Sequence, residues 1–158
     1  MHDSSPDILC VRDIDLADAT ALLAAHGLVL AKVDEGAPIP GSYWDEPEAG
    51  IIAGTVYVRD DTPVHSMLHE ACHLIVLPPQ RRAAVHTDAT DSVAEEDATC
   101  YLQIVLADRL PGVGSARLMA DMDAWGYTFR LGSTQAWFTR DAEDAQAWLR
   151  ARGLLPGV

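Results

Sequence analysis

Near the N-terminus, apolar residues recur at the three- and four-residue spacing of an amphipathic helix. The positions that carry this pattern are Leu16, Ala19, Leu22 and Leu23. Either Asp13 or Asp15 can cap the helix, and Gly27 follows it where a left-handed residue commonly ends one. The pattern therefore predicts a first helix over about 15–26.

Two extended segments follow this helix. Residues 28–33 are typical of a strand, and a loop rich in proline and glycine then runs to Gly41. Residues 51–59 carry β-branched and aromatic side chains that Gly54 interrupts, a pattern typical of one bent strand or a tight hairpin. We therefore expect a small sheet of about three strands.

Helical patterns dominate the rest of the chain. Thr62 can cap a second helix that has Pro63 at its first position and reaches Leu77, where two prolines stop it. Apolar residues at helical spacing over 92–108 predict a long third helix. These two helices are the longest that the pattern predicts in the middle of the chain.

Shorter elements are predicted in the last third of the chain. A fourth helix is expected over 115–125, ended by Gly126, followed by a short strand or extended link over 127–131 and a final helix over 139–152. The elements together predict a single α+β domain over 1–158. Its small sheet would pack against the two long helices, with additional helices at both ends.

Composition agrees with one folded domain and narrows the choice of partners. The chain has 158 residues, of which 49% are hydrophobic and 22% charged, so disorder over its whole length is excluded. The net charge of −13 repels phosphate backbones and anionic lipids, which argues against nucleic acid and membrane as partners. Residues 1–79 hold 13 acids and three bases, so this half carries most of the charge.

The apolar runs and the cysteine content of the chain indicate the cellular compartment. No apolar run reaches the roughly 18 residues that span a bilayer, and residues 1–7 lack the apolar core of a signal peptide. Cys10, Cys72 and Cys100 are odd in number and share no C-x-x-C spacing. We therefore expect a cytoplasmic protein without a disulfide framework.

The second predicted helix contains the motif His69-Glu70-Ala71-Cys72-His73. Side chains four residues apart stand on one face of a helix, so both imidazoles can bind one metal ion. Glu70 lies between them, where its carboxylate can act as general base on a metal-activated water. Chance would produce this motif roughly 0.01 times in a chain of this composition, so it predicts a zinc (Zn2+) site.

A catalytic zinc site needs a third protein ligand. The longer histidine signature is absent because Val76 and Pro79 occupy its positions, and the third predicted helix offers Glu95 and Glu96 instead. On a helical wheel Glu95 borders the buried stripe, whereas Glu96 faces solvent. Glu95 is therefore the expected ligand and Glu96 the alternative, although the Ser92-x-x-Glu95 spacing also fits a capping box.

Further residues extend the motif along the chain. They are Glu95-x-x-Ala98-x-x-Tyr101, and Val105 and Leu106 before Pro111. Together with the motif they resemble the gluzincin metallopeptidases over roughly residues 50–111, most closely the compact group that includes the ImmA/IrrE-type peptidases. The resemblance implies a zinc ion held by His69, His73 and Glu95 on two long metal-bearing helices. Glu70 would be the general base.

The function that this resemblance implies is that of a zinc metallopeptidase, which hydrolyses peptide bonds in a protein or peptide substrate. The alternative is a non-catalytic zinc-binding domain that regulates or binds other proteins. A third hypothesis is an ordinary helical domain with fortuitous histidines. The negative charge near the motif would favour zinc retention and basic or neutral peptides.

Hydrolysis also needs a hydrogen-bond donor for the developing oxyanion. The chemically capable side chains are Tyr101, Tyr127, His65 and His86. We expect Tyr101 to lie in the core and His65 to be an exposed neighbour of the motif. Cys72 is expected to pack away from the histidines. The tryptophans, expected to be core anchors, are Trp44, Trp125, Trp137 and Trp148.

Overall fold

The strands form a small mixed sheet. The computed structural model describes residues 8–42, 47–86 and 92–155, and its strands are Val29–Lys32 (β1), Gly50–Ile52 (β2) and Thr55–Val58 (β3). β3 lies in the centre, parallel to β1 and antiparallel to β2. Ala53, with a φ of 52°, and Gly54 form a two-residue turn between β2 and β3. Of the two forms expected for this stretch, the tight hairpin is therefore the one adopted.

Seven helices lie within the described residues. They are Leu16–Ala24 (α1), Val64–Ile75 (α2), Pro79–Arg82 (α3), Val93–Ala107 (α4), Gly114–Trp125 (α5), Thr134–Arg140 (α6) and Glu143–Ala151 (α7). With the three-stranded sheet they confirm the α+β class that the sequence predicts. None of the helices in this part of the chain is long and apolar enough to cross a membrane.

The core forms around α2 and α4, which pack along each other. α2 also contacts β2 and β3, so it lies between the sheet and α4. Met67, Leu68, Ala71 and Cys72 of α2 are completely buried, and this loss of apolar surface to water is the main driving force for packing. α4 also packs against α5 and α7, so helices surround it on several sides.

The helix starts agree with the sequence at two of three places. Asp15 accepts a hydrogen bond from the first turn of α1 at 2.9 Å, and Ser92 accepts one from the Glu95 N–H at 3.3 Å. Thr62 does not cap α2, because its Oγ1 accepts the Arg59 N–H at 2.8 Å. Thr62 therefore closes the turn after β3, and the helix begins without a side-chain cap.

The prediction of one final helix over 139–152 is wrong. α6 ends at Arg140 and α7 begins at Glu143, with Asp141 in a non-helical conformation between them. The Asp141 carboxylate accepts a hydrogen bond from the Arg130 guanidinium at 2.9 Å. This ion pair joins the break to residues 127–131, which form a link without strand pairing that has a turn at Arg130 and Leu131. The break between α6 and α7 therefore coincides with an ion pair to a residue 11 positions earlier in the chain.

Candidate metal centre

Two imidazoles stand one turn apart on α2. The rings of His69 and His73 have centroids 4.6 Å apart and planes at 87° to each other. Their side chains are 13% and 12% exposed, so both rings are largely withdrawn from water. The sequence prediction that the motif lies on one helix, with both histidines on a common face, is thus confirmed.

One carboxylate from α4 reaches both imidazoles. Glu96 Oε2 lies 3.2 Å from His69 Nε2, and Glu96 Oε1 lies 3.1 Å from His73 Nε2. Ligand atoms around a tetrahedral zinc ion, with bonds of about 2.0–2.1 Å, are separated by about 3.3 Å. Each of the two imidazole nitrogens is therefore at ligand spacing from one oxygen of the same carboxylate.

Glu95 lies elsewhere, so the structure does not bring the expected third ligand to the histidines. Its Oε2 accepts a hydrogen bond from Arg81 at 3.3 Å, and its side chain lines a separate groove beside α3 and α7. The wheel that placed Glu96 towards solvent assumed one apolar stripe on the helix. α4 is instead buried on most of its faces, and the face that carries Glu96 packs against α2.

Gln103, which sequence reasoning missed, supports His69 from behind. Its Oε1 accepts a hydrogen bond from His69 Nδ1 at 2.6 Å, and its Nε2 donates to the His65 carbonyl at 3.2 Å. Gln103 is fully buried. The bond to Nδ1 leaves Nε2, on the Glu96 side of the His69 ring, as the nitrogen that would bind a metal. The available signal was the i, i+4, i+7 spacing of Glu96, Cys100 and Gln103 on one face of α4.

The charges of the cluster follow from its burial and pairing. Burial alone would raise the pKa of Glu96, but hydrogen bonds from His69 and His73 hold it well below its usual range. Burial would likewise lower the pKa of His69, yet Tyr127, Cys100 and Glu96 together raise it well above its ordinary value. Of these three neighbours only Glu96 is ionised at neutral pH, so His69 and Glu96 form an ion pair without metal.

Glu70 and Cys100 complete the cluster. The Glu70 carboxylate lies within 4.8 Å of ligand atoms of His69 and His73, and burial raises the pKa of Glu70. The Cys100 sulfur lies within the same distance of His69 and Glu96. Burial raises the pKa of Cys100 as well, so this side chain is a neutral thiol in the metal-free protein.

A cleft of about 330 Å³ opens onto the cluster. It is lined by Glu48, His65, Ser66, His69, Glu70, Trp125, Gly126 and Tyr127. The expectation that His65 is exposed is wrong, because it is only 1% exposed, packed against the Trp125 and Tyr127 rings. Burial lowers the pKa of His65 to about 3, and burial raises that of Tyr127 to about 12, so both are neutral. Trp125, 41% exposed, lines the cleft instead of anchoring the core.

The other residues considered from sequence lie away from the cleft. Tyr101 is buried, stacks on Phe138 and accepts a hydrogen bond from Gln146 at 2.7 Å, so the expected core position is confirmed. His86 pairs with Ile52 beside the sheet. Cys72 and Trp137 are buried as expected, Trp148 packs against the core only in part, and Trp44 lies outside the described residues.

The donor set determines which metal would fit. Two imidazole nitrogens and one carboxylate form the ligand set of catalytic zinc sites, which leaves a coordination position for water or substrate. His69, His73 and Glu96 could therefore hold zinc, with Glu70 close enough to act on a neighbouring water. No known protein family, curated protein or solved structure matches this chain.

Proposed function

We propose that this chain is a zinc-dependent metallopeptidase whose metal ligands are His69, His73 and Glu96. The observation that carries the proposal is the convergence of both Nε2 atoms, at 3.2 and 3.1 Å, on the two oxygens of one carboxylate. An ion pair alone needs only one imidazole. Two imidazoles that contact one carboxylate, beside a second acid, are typical of a metal centre.

Glu70 is the general base in this proposal. Zinc, when bound, makes a water ligand acidic enough to serve as a nucleophile near neutral pH. Glu70 accepts the proton of that water and passes it to the leaving amine. Burial raises the pKa of Glu70, which makes its carboxylate a stronger base than a carboxylate in water.

Gln103 and Glu96 hold the machinery in place. Gln103 accepts the His69 Nδ1 hydrogen bond and so keeps the other nitrogen free for the metal. Glu96 comes from α4, and the two histidines come from α2, so these are the two metal-bearing helices. The site therefore depends on the packing between two core elements.

Peptide bonds are the proposed substrate because the motif over 69–73 and the residues that follow it resemble those of gluzincin metallopeptidases. Glu96 replaces Glu95 as the third ligand that this resemblance implied. Cys10, Cys72 and Cys100 are all free thiols, in keeping with the cytoplasmic location that we propose.

The proposal is tested by Glu70→Gln. This variant should retain about one zinc per chain, because Glu70 is not a ligand, and should lose at least about 100-fold in hydrolysis of a peptide library. Metal analysis of untagged protein and mass spectrometry of the library give the two readouts. Glu35→Gln, at an exposed position on the loop after β1, is the matched control and should retain both.

Three results would contradict the proposal. Wild-type protein without zinc would exclude the metal centre. Zinc binding without any cleavage by wild type would favour the non-catalytic alternative. Undiminished cleavage by Glu70→Gln would exclude Glu70 as the base.

A further inference from the structure

One ring nitrogen in the cleft has no hydrogen-bond partner. His65 Nε2 is buried and unpaired, and the residue as a whole is only 1% exposed. The side chain nevertheless lines the cleft in front of His69 and Glu70. Buried polar atoms are nearly always paired, because leaving one unpaired is unfavourable, so this nitrogen calls for a partner that the chain does not supply.

The surrounding hydrogen bonds determine whether this nitrogen is a donor. His69 Nδ1 donates to Gln103 Oε1, because a ligating Nε2 must keep its lone pair free. The amide nitrogen of Gln103 therefore faces the other way, where it donates to the His65 carbonyl at 3.2 Å. This fixes the orientation of the Gln103 side chain.

The hydroxyl of Tyr127 contacts His65 and determines which of its ring nitrogens carries the proton. A phenol O–H is a stronger donor than a neutral imidazole N–H, and an imidazole nitrogen is the stronger acceptor, so the Tyr127 proton is directed to His65 Nδ1, 3.2 Å away. An imidazole that accepts at Nδ1 and is neutral carries its proton on Nε2. The unpaired atom of His65 is therefore an N–H donor beside the metal centre.

We propose that His65 Nε2–H is the hydrogen-bond donor for the substrate carbonyl oxygen as negative charge develops on it, and that Tyr127 is the positioning residue that holds His65 in this tautomer. The inference rests on the proposed function, which supplies the carbonyl substrate. It selects one donor from the four side chains that the sequence offered. A donor fixed beforehand at the site of charge development needs no reorganisation during the reaction.

Trp125 covers the donor in this arrangement. Its ring lies 5.2 Å from that of His65, and the side chain is 41% exposed at the mouth of the cleft. Gly126 follows with a φ of 117° and ends α5 there. A substrate carbonyl has to reach His65 Nε2 past this half-exposed ring, because the nitrogen is itself buried.

The tautomer is measured by ¹⁵N NMR of the imidazole nitrogens, in zinc-loaded and metal-free protein. We expect His65 to show a protonated Nε2 and an unprotonated, hydrogen-bonded Nδ1. Tyr127→Phe, which removes only the hydroxyl, should give a mixture of the two tautomers. A proton on Nδ1 of His65 in the wild type would overturn the inference, whether or not zinc binds.

The substrate role is measured with an N-phosphoryl dipeptide, whose tetrahedral phosphoryl group mimics the charged intermediate. His65→Leu should bind this probe about 100-fold more weakly than wild type and bind zinc equally well. His65→Gln, which keeps an N–H donor, should recover part of the affinity. His86→Leu, a histidine away from the cleft, is the control and should bind the probe like wild type.

The outcomes separate this inference from the proposed function. Equal probe affinity of His65→Leu and wild type, with zinc bound to both, would overturn the role of His65 and leave the metal centre intact. Wild-type protein that binds no zinc would overturn the proposed function and the substrate role together. The NMR measurement would then still report whether His65 is an Nε2–H donor.

Discussion

Adjacent side chains on α4 have different environments because successive residues on a helix differ by about 100° in direction. Glu95 points to Arg81 at 3.3 Å, whereas Glu96 points to His69 and His73 on α2. Glu95 is therefore paired with one half-exposed arginine, whereas Glu96 contacts two imidazoles. The partner, rather than the residue type, determines which carboxylate belongs to the proposed metal centre.

The hydrogen bond between Gln103 and His69 predicts how a single substitution changes zinc affinity. Gln103→Leu keeps a similar volume but removes the acceptor for His69 Nδ1–H, which lies 2.6 Å away. The zinc affinity should fall about 10–100-fold, as is usual when the partner of a metal-ligating histidine is removed. Competition with a chromophoric chelator measures the affinity.

The matched control for this prediction is Gln103→Glu. Its carboxylate can still accept from His69 Nδ1–H, so zinc affinity should stay near that of the wild type. Wild-type affinity in Gln103→Leu would show that His69 does not depend on this hydrogen bond.

The positions of α2 and α4 explain which parts of the site the sequence could predict. The apolar spacing, the caps and the prolines placed both helices within two residues of their observed ends, because these signals are local, although Thr62 does not cap α2. Which face of α4 points towards α2 could not be predicted from local signals, because α4 packs against α2, α5 and α7. Glu96 and Gln103 therefore required the three-dimensional packing, whereas His69, Glu70 and His73 followed from their spacing alone.

Two other features also depend on contacts between separate segments and could not be predicted from local sequence. The tight hairpin was one of two forms that fitted residues 51–59, and the pairing of β2 with β3 decides between them. The break between α6 and α7 goes with the contact of Asp141 with Arg130, which comes from a different part of the chain. Propensity along the sequence carries no information about such a partner.

The burial of α4 predicts how substitutions along this helix change the free energy of unfolding. Ile104 is completely buried, so Ile104→Ala should lower the free energy of unfolding by about 2–5 kcal/mol through lost apolar contact and a residual cavity. Val93 begins the same helix and is 76% exposed, so Val93→Ala should change it by less than about 0.5 kcal/mol.

Urea unfolding of metal-free protein measures both variants under conditions in which zinc makes no contribution. Equal stability of Ile104→Ala and Val93→Ala would show that α4 is not packed as described.

The charge of the whole molecule sets the field around the cleft. The chain carries a net −13, and its first half, which contains α2, holds 13 acids against three bases. Glu48 and Glu70 line the cleft itself. This distribution attracts cations and repels acidic peptides over a distance of about 10 Å at 0.1 M salt.

The field predicts a charge preference among substrates. For peptides that the protein cleaves, variants with lysine near the cut bond should have a higher kcat/KM at low salt than variants with glutamate. The ratio should shrink towards one as salt is raised, because screening shortens the range of the field. A preference for the acidic peptides at low salt would contradict the electrostatic account.

We propose that Glu96, with His69 and His73, forms the metal centre. The most direct measurement is the zinc dissociation constant of Glu96→Gln and of Glu95→Gln, determined by chelator competition beside the wild type. Glu96→Gln should weaken zinc binding by about 100-fold or more, because a ligand is lost. Glu95→Gln should bind zinc like the wild type, because its partner is Arg81. Weakened binding in Glu95→Gln together with unchanged binding in Glu96→Gln would contradict the account.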